Sequence, residues 1–252
     1  LIFGIIGNPV LHSRSPEIHN RRFRELSVDA LYLPFQVDEV GEFFSLAEDL
    51  GVRGFSVTVP HKQAVIPHLD VPSPEVERIG SCNTVIRRND RWYGYNTDYA
   101  GFLEPLRSFD DFAHMKKALV VGAGGAARTV VYALRSEHID VWIVNRGLEK
   151  ARKLAGEFGA EYLKIDDSRL GEMSFDLVLQ CTSVGMSPRE EADPLPGFCF
   201  QGREIVYDLI YSPERTRFLQ RAETAGCRTL NGMEMLLAQG RLQSELFMKT
   251  LT

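Results

Sequence analysis

The chain has 252 residues, 44% of them hydrophobic and 25% charged, with a formal net charge of −5. That length supports one large or two medium domains with buried cores, and the acidic balance excludes the basic face of a nucleic-acid binder. No apolar stretch approaches the roughly 20 residues that span a bilayer. Cys82, Cys181, Cys199 and Cys227 contain no C-x-x-C pair, so neither a metal centre nor a disulfide framework is expected.

In chain order, short apolar runs alternate with helix-period stretches, the signature of an α/β fold with parallel sheets. Strands are expected near 2–7, 31–37 and 53–59, then as a pair at 82–88 and 91–95 turned by Asn89-Asp90. Helical patterns fall near 15–26, 39–50 and 98–107. The first turn, Gly7-Asn8-Pro9-Val10-Leu11-His12-Ser13-Arg14-Ser15-Pro16, sets two hydroxyls before a helix, and local chemistry reads Ser15 as an N-cap with Pro16 at the first helical position. Further on, Lys62 ends Val57-Thr58-Val59-Pro60-His61-Lys62, and Asp98 closes Gly94-Tyr95-Asn96-Thr97-Asp98. A lysine and a carboxylate can share and relay a proton, one half of a carbonyl reduction. The plain alternative is a surface lysine and an aspartate capping the helix that begins at Tyr99. His12, His19 and His61 stand at no telling spacing from a carboxylate or cysteine and read as supporting or surface residues.

A second α/β unit follows, with strands at 118–121, 140–144, 176–180 and 204–208 and a long helical pattern at about 233–250. The expected division is a domain of residues 1–100 joined by the helix 233–252, and a second domain of residues 101–232. The loop Gly122-Ala123-Gly124-Gly125-Ala126-Ala127-Arg128 follows an apolar strand and opens a helix, the context a dinucleotide fingerprint requires. Gly122 permits the tight turn, Gly124 the approach of a pyrophosphate to the helix start, and Ala127 close packing of helix on strand. A tight turn that binds nothing gives the same pattern. At the end of the next strand, Asn145-Arg146 stands where NAD enzymes carry Asp or Glu. Arg146, with Lys150 one helical turn on, offers cationic donors to a 2′-phosphate and points to NADP, although a basic helix start reads alike. Cys181-Thr182-Ser183-Val184-Gly185-Met186 is a strand exit that can contact the cofactor, or a plain loop.

Taken together, the ordered segments 7–16, 57–62, Asn83-Thr84, 94–101, 122–128, Asn145-Arg146, 182–186, Tyr207-Asp208-x-x-Tyr211 and Asn231-Gly232-x-x-Met235-Leu236-x-x-Gln239 resemble the shikimate dehydrogenase family over nearly the whole length. The resemblance implies two α/β domains, an N-terminal substrate domain and a Rossmann-type dinucleotide domain, with the active site in the cleft between them. It also implies NADP-dependent interconversion of 3-dehydroshikimate and shikimate, a step of chorismate and aromatic amino-acid biosynthesis. By the same resemblance Ser13 and Ser15, helped by Tyr211, hold the substrate carboxylate. Thr58, Lys62, Asn83, Asp98 and Gln239 hold the ring hydroxyls, and Lys62 and Asp98 carry catalysis. Gly122, Ala123, Gly124, Gly125, Ala126, Ala127, Asn145, Arg146, Lys150, Thr182 and Ser183 bind the cofactor, and Leu209 and Gly232 line its nicotinamide. The expected partners are small molecules and at most a second copy of the chain, with no nucleic acid, membrane or metal.

The sequence departs from the family pattern at Ser56, where asparagine is usual, at Cys82, where alanine is usual, and at Gln180-Cys181, in place of Asn-Ala. Gly147 replaces a threonine and removes a hydroxyl that could help hold a 2′-phosphate. Alternatives are a quinate/shikimate dehydrogenase of broader substrate or NAD use, and a ligand-sensing relative without activity. The chain opens at Leu1 directly in a strand-like run, which leaves room for a preceding segment or a larger polypeptide. The expected location is cytoplasmic, with a plastid or multi-domain origin as the alternative.

Overall fold

The structure is a computed structural model and describes residues 1–251. Contacts divide the chain into two compact units, Leu1–Gly101 with Leu237–Thr252, and Phe102–Leu236.

The first unit is built on β1 (Ile2–Gly7), α1 (Ser15–Glu25), β2 (Leu31–Gln36), α2 (Val40–Asp49), β3 (Val52–Val57), β4 (Val71–Pro72), α3 (Pro74–Ile79), β5 (Thr84–Arg88) and β6 (Arg91–Tyr95). Its sheet runs β2-β1-β3-β5-β6-β4. The strands β2, β1 and β3 are parallel, while β5 and β6 turn back as a hairpin, so this sheet is mixed rather than wholly parallel. Asn89 and Asp90 both take positive φ at the hairpin tip, the conformation that a two-residue turn needs to match strand twist. Both faces of the sheet are covered. Phe43 and Phe44 of α2 pack edge-on against Phe55 on one face, with ring centres 5.0 and 5.5 Å away. On the other, Phe3 meets Phe23 of α1 and Phe247 of the C-terminal helix.

The helix α4 (Thr97–Leu106) starts in the first unit and ends in the second, which continues with β7 (Lys117–Val121), α5 (Gly125–Ser136), β8 (Asp140–Asn145), α6 (Leu148–Phe158), β9 (Glu161–Lys164), β10 (Leu177–Gln180), β11 (Ile205–Asp208), α7 (Arg217–Thr224) and β12 (Arg228–Leu230). The last helix, α8 (Gly232–Met248), begins here and finishes in the first unit. The second sheet, ordered β12-β11-β10-β7-β8-β9, is parallel throughout. Taken from its other edge this is the doubly wound order 3-2-1-4-5-6, whose direction reverses between β7 and β10. The strands β10 and β11 are buried at every position, as apolar runs covered on both faces must be. Among the described residues no helix is long and apolar enough to cross a membrane.

Candidate active site

Lys62 and Asp98 meet. The lysine Nζ lies 2.6 Å from Asp98 Oδ2, with 21% of the lysine side chain and 10% of the aspartate side chain exposed. The backbone on either side is pinned. The Lys62 carbonyl accepts the Cys82 amide at 2.8 Å, and the buried His61 ring bonds the Val37 carbonyl at 2.7 Å. His61 therefore braces this turn, while His12 is exposed. Cys82 beside the pair is chemically quiet, because burial pushes its thiol up to about 12.

Asp98 is not the helix cap. α4 begins at Thr97, and Asn96 Oδ1 accepts the Tyr99 amide at 3.1 Å. An Asn before the first turn satisfies an orphan N–H, which leaves the Asp98 carboxylate to the lysine. The expectation for Ser15 is corrected in the same way. The cap position of α1 falls on Arg14, and Ser15 is the first helical residue. Its amide is accepted by Ser13 Oγ at 3.2 Å, which satisfies one N–H of the first turn, while the cap position itself makes no side-chain cap bond.

The other expected substrate residues of the first unit occupy one neighbourhood. Thr58 follows β3, its amide bonded to the Ile6 carbonyl. Asn83 precedes β5 and is 2% exposed. Its Oδ1 accepts the Thr97 amide at 2.8 Å and its Nδ2 donates to Thr97 Oγ1 at 2.9 Å, tying the start of α4 to β5. Gln239 on α8 takes a 3.5 Å contact from Asn83 Nδ2. Gly101 lies against Gln239, where a Cβ would stand 2.8 Å from the glutamine Cβ, so only glycine lets α4 and α8 pack this closely.

In the second unit the reversal of strand order brings two loops together. Gly122 has φ +118, and a Cβ there would lie 2.9 Å from Thr182 Cγ2. Gly124 and Gly125 open α5, and a Cβ on either would meet nothing within 4 Å. No protein atom requires glycine at those two positions, so the space fits a group such as a pyrophosphate at the helix start. Ala127 is fully buried against the sheet. A pocket of about 180 Å³ is lined by Gly122, Val144, Asn145, Arg146 and Thr182. Asn145 Nδ2 donates to the Gly147 carbonyl at 2.9 Å, shaping the start of α6. Arg146 and Lys150 are exposed, and neither joins an ion pair among the described residues. Two solvated cations beside a pocket at a helix start suit a 2′-phosphate.

Residues that the sequence reading treated as departures shape the loops. Gln180 is fully buried, and its amide donates to the Thr182 and Val184 carbonyls at 3.1 and 2.8 Å while accepting the Thr182 amide at 2.7 Å. It folds the turn that carries Thr182 and Ser183. Gly232 packs on the loop after β11, where a Cβ would overlap the Leu209 carbonyl at 2.0 Å. That loop is held by Asp208, which accepts the Ile210 amide at 2.9 Å and the Thr216 hydroxyl at 2.6 Å. Burial pushes the Asp208 carboxyl up to about 7. Tyr211 lies three residues on and is half-buried.

Residues 5–85 match the family described as "Shikimate dehydrogenase substrate binding domain", and residues 106–187 that described as "Shikimate / quinate 5-dehydrogenase". The shikimate dehydrogenase (NADP(+)) of Desulforamulus reducens is 41% identical over 261 residues, covering 98% of this chain and 89% of the relative. Among solved structures, the shikimate 5-dehydrogenase of Thermus thermophilus in complex with NADP(H) and shikimate superposes with a TM-score of 0.87 at 36% identity, covering 99% of this chain and 94% of that one. The quinate dehydrogenase of Corynebacterium glutamicum in complex with NAD gives 0.91 at 26% identity, with coverages of 99% and 94%.

Proposed function

The chain belongs to the shikimate dehydrogenase family, and from that premise we propose how its own residues carry the reversible NADPH-dependent reduction of 3-dehydroshikimate to shikimate, on the route to chorismate and the aromatic amino acids. The observation that carries the reading is the Lys62–Asp98 pair. Residues 1–100 with the C-terminal helix are the substrate domain, and residues 101–232 hold NADP.

Bound NADPH supplies a hydride to the C3 carbonyl carbon. Negative charge then grows on the carbonyl oxygen, and the Lys62 ammonium stabilises it and delivers the proton that completes the alcohol. Asp98 orients the ammonium through its 2.6 Å contact and takes part in the return of the proton when shikimate is oxidised. Thr58, Asn83 and Gln239 hold the ring hydroxyls, and Ser13, Ser15 and Tyr211 the carboxylate. A polyhydroxylated ring needs this many partners, since each buried polar group left unpaired costs about 1–3 kcal/mol. Gly122, Ala123, Gly124, Gly125, Ala126 and Ala127 form the phosphate turn, with Asn145, Arg146, Lys150, Thr182 and Ser183 around the ribose phosphates. Leu209 and Gly232 sit at the nicotinamide.

The reading is tested by following reduced nicotinamide with shikimate and quinate crossed against NADP and NAD. Turnover strongest with shikimate and NADP supports it. Equal use of quinate with NAD would move the chain towards the quinate dehydrogenases it also superposes on.

A further inference from the structure

Behind the residues assigned to substrate in the first unit lies a buried hydrogen-bond chain centred on Gln243 of α8, which is 2% exposed. The Gln243 Oε1 accepts Ser56 Oγ at 2.8 Å and stands 3.2 Å from His19 Nε2. Its Nε2 donates to Thr84 Oγ1 at 3.0 Å and to the Asn83 carbonyl at 3.2 Å. All four bonding positions of the carboxamide are thus taken by protein groups. Its orientation is fixed as well. The Asn83 carbonyl oxygen can only accept, so the Gln243 atom facing it must be the donor. Oε1 therefore faces His19, whose Nε2 carries the proton. Burial lowers the His19 ring to about 4, which keeps it neutral, with Nδ1 3.0 Å from the Ser244 hydroxyl.

Two arms leave this amide. Along one, Ser56 Oγ accepts the hydroxyl of the buried Tyr32 at 2.6 Å, which anchors the Oε1 side of the amide. Along the other, Thr84 Oγ1 donates to Asn83 Oδ1 at 2.9 Å, and Asn83 Nδ2 approaches Gln239 Oε1 at 3.5 Å. Ser56, the departure noted in the sequence, is the short hydroxyl that lets Tyr32 and Gln243 meet through one atom. The first arm anchors the amide on Tyr32, and the second ends on Asn83 and Gln239 of the assigned substrate set.

We propose that Gln243 is a positioning residue that fixes Asn83 from behind, directly and through Thr84, so that the hydroxyl end of the ring meets a preset carboxamide. This rests on the reading that Asn83 binds substrate. Removing the amide frees both arms at once. Cutting the Tyr32 hydroxyl removes only the anchor that reaches the amide through Ser56. Neither change touches Lys62, Asp98 or the nucleotide loops.

The test is steady-state kinetics of the full chain. Gln243→Leu is expected to raise KM for shikimate about tenfold, the loss of one to two buried hydrogen bonds, with kcat and KM for NADP within about twofold of the parent. Tyr32→Phe, which keeps the ring volume, should raise the shikimate KM about threefold. The double variant should be no worse than Gln243→Leu alone, since both cut the same arm. Should Gln243→Leu fail to fold, Tyr32→Phe decides the matter by itself. An unchanged shikimate KM in these variants, beside a raised KM in Asn83→Ala, overturns the inference and leaves the substrate site standing. Equal rises in the KM for shikimate and for NADP would also overturn it, because they mark a general loss of structure. Unchanged shikimate KM in both Asn83→Ala and Ser15→Ala sinks the substrate site itself.

Discussion

Lys62 and Asp98, 36 positions apart in the chain, touch through one short contact, Nζ to Oδ2 at 2.6 Å. The contact exists because two separate devices hold its ends. The Cys82 amide and the His61 ring fix the turn that carries the lysine. Asn96, by taking the Tyr99 amide, relieves Asp98 of the capping duty its position suggests. A carboxylate spared from the helix start can orient an ammonium instead, and the pair is partly buried, where such a contact is screened less than at the surface.

Lys62→Ala removes the cation beside the developing alkoxide. Positioned proton transfer contributes about 10²–10⁴-fold to such steps, so kcat should fall by at least about a hundredfold, with a much smaller rise in KM. Steady-state kinetics with saturating NADP checks this, and a kcat close to that of the parent would remove Lys62 from the chemistry.

Asp98→Asn separates orientation from capping. The Asn96 cap survives the substitution, so the melting temperature should stay within a few degrees, while kcat drops about tenfold or more as the lysine loses its charged partner. Thermal melts run beside the kinetics decide between the two roles. A variant that is inactive only because it has unfolded would return Asp98 to a structural part.

Arg146→Ala should weaken NADPH about tenfold or more, the worth of a charged hydrogen bond of about 1.5–3 kcal/mol, and leave NADH nearly unchanged. Gly147→Thr is the converse. Gly147 is the cap position of α6 with extended φ, and a Cβ there meets only the Asn145 amide nitrogen at 3.6 Å. The added hydroxyl fits and should tighten NADPH several-fold relative to NADH. Titrating both cofactors against each variant gives the ratio, and parallel losses for NADPH and NADH would remove the 2′-phosphate argument.

Much of this arrangement is legible in the sequence because its elements are long or periodic. β1, the β5–β6 hairpin and β7 carry apolar runs or turn residues that force their assignment, and the glycine loop at 122–125 announces a phosphate turn. The short edge strands are not legible. β9 buries only Leu163, and β4 has two residues. Such edges are made by backbone pairing, which leaves no side-chain pattern. Shifts of one or two residues at helix starts also escape, since Arg14 stands in place of Ser15 and Asn96 in place of Asp98, and these depend on which amide a nearby oxygen reaches. His19 reads as a supporting or surface residue, yet it is fully buried and bonded to Gln243, 224 positions away. No local pattern encodes a contact of that separation. Only the return of α8 to the first unit creates it.

Asp208 and His19 set opposing pH dependences. Burial raises the Asp208 carboxyl from 3.8 to about 7. Across that window the folded chain keeps a proton that the unfolded chain has lost, so the stability this group contributes falls as pH rises, by about 1.4 kcal/mol per pH unit. This is the reverse of a salt-bridged aspartate. His19 is lowered from 6.5 to about 4, so below 6.5 the unfolded chain binds the proton first and stability rises with pH until that value is passed. Between about 4 and 6.5 the two contributions nearly cancel. Asp208→Asn deletes one of them while its Oδ1 can still accept the Ile210 amide. Stability of the parent minus that of the variant should therefore decline steadily from about pH 4 to about pH 7, by about 4 kcal/mol in all, and the variant alone should gain stability with pH as His19 is left uncompensated. Urea midpoints for both proteins across that range measure the difference. Parallel curves would mean that the buried carboxyl titrates as an ordinary one and that its contacts with Ile210 and Thr216 hold it ionised.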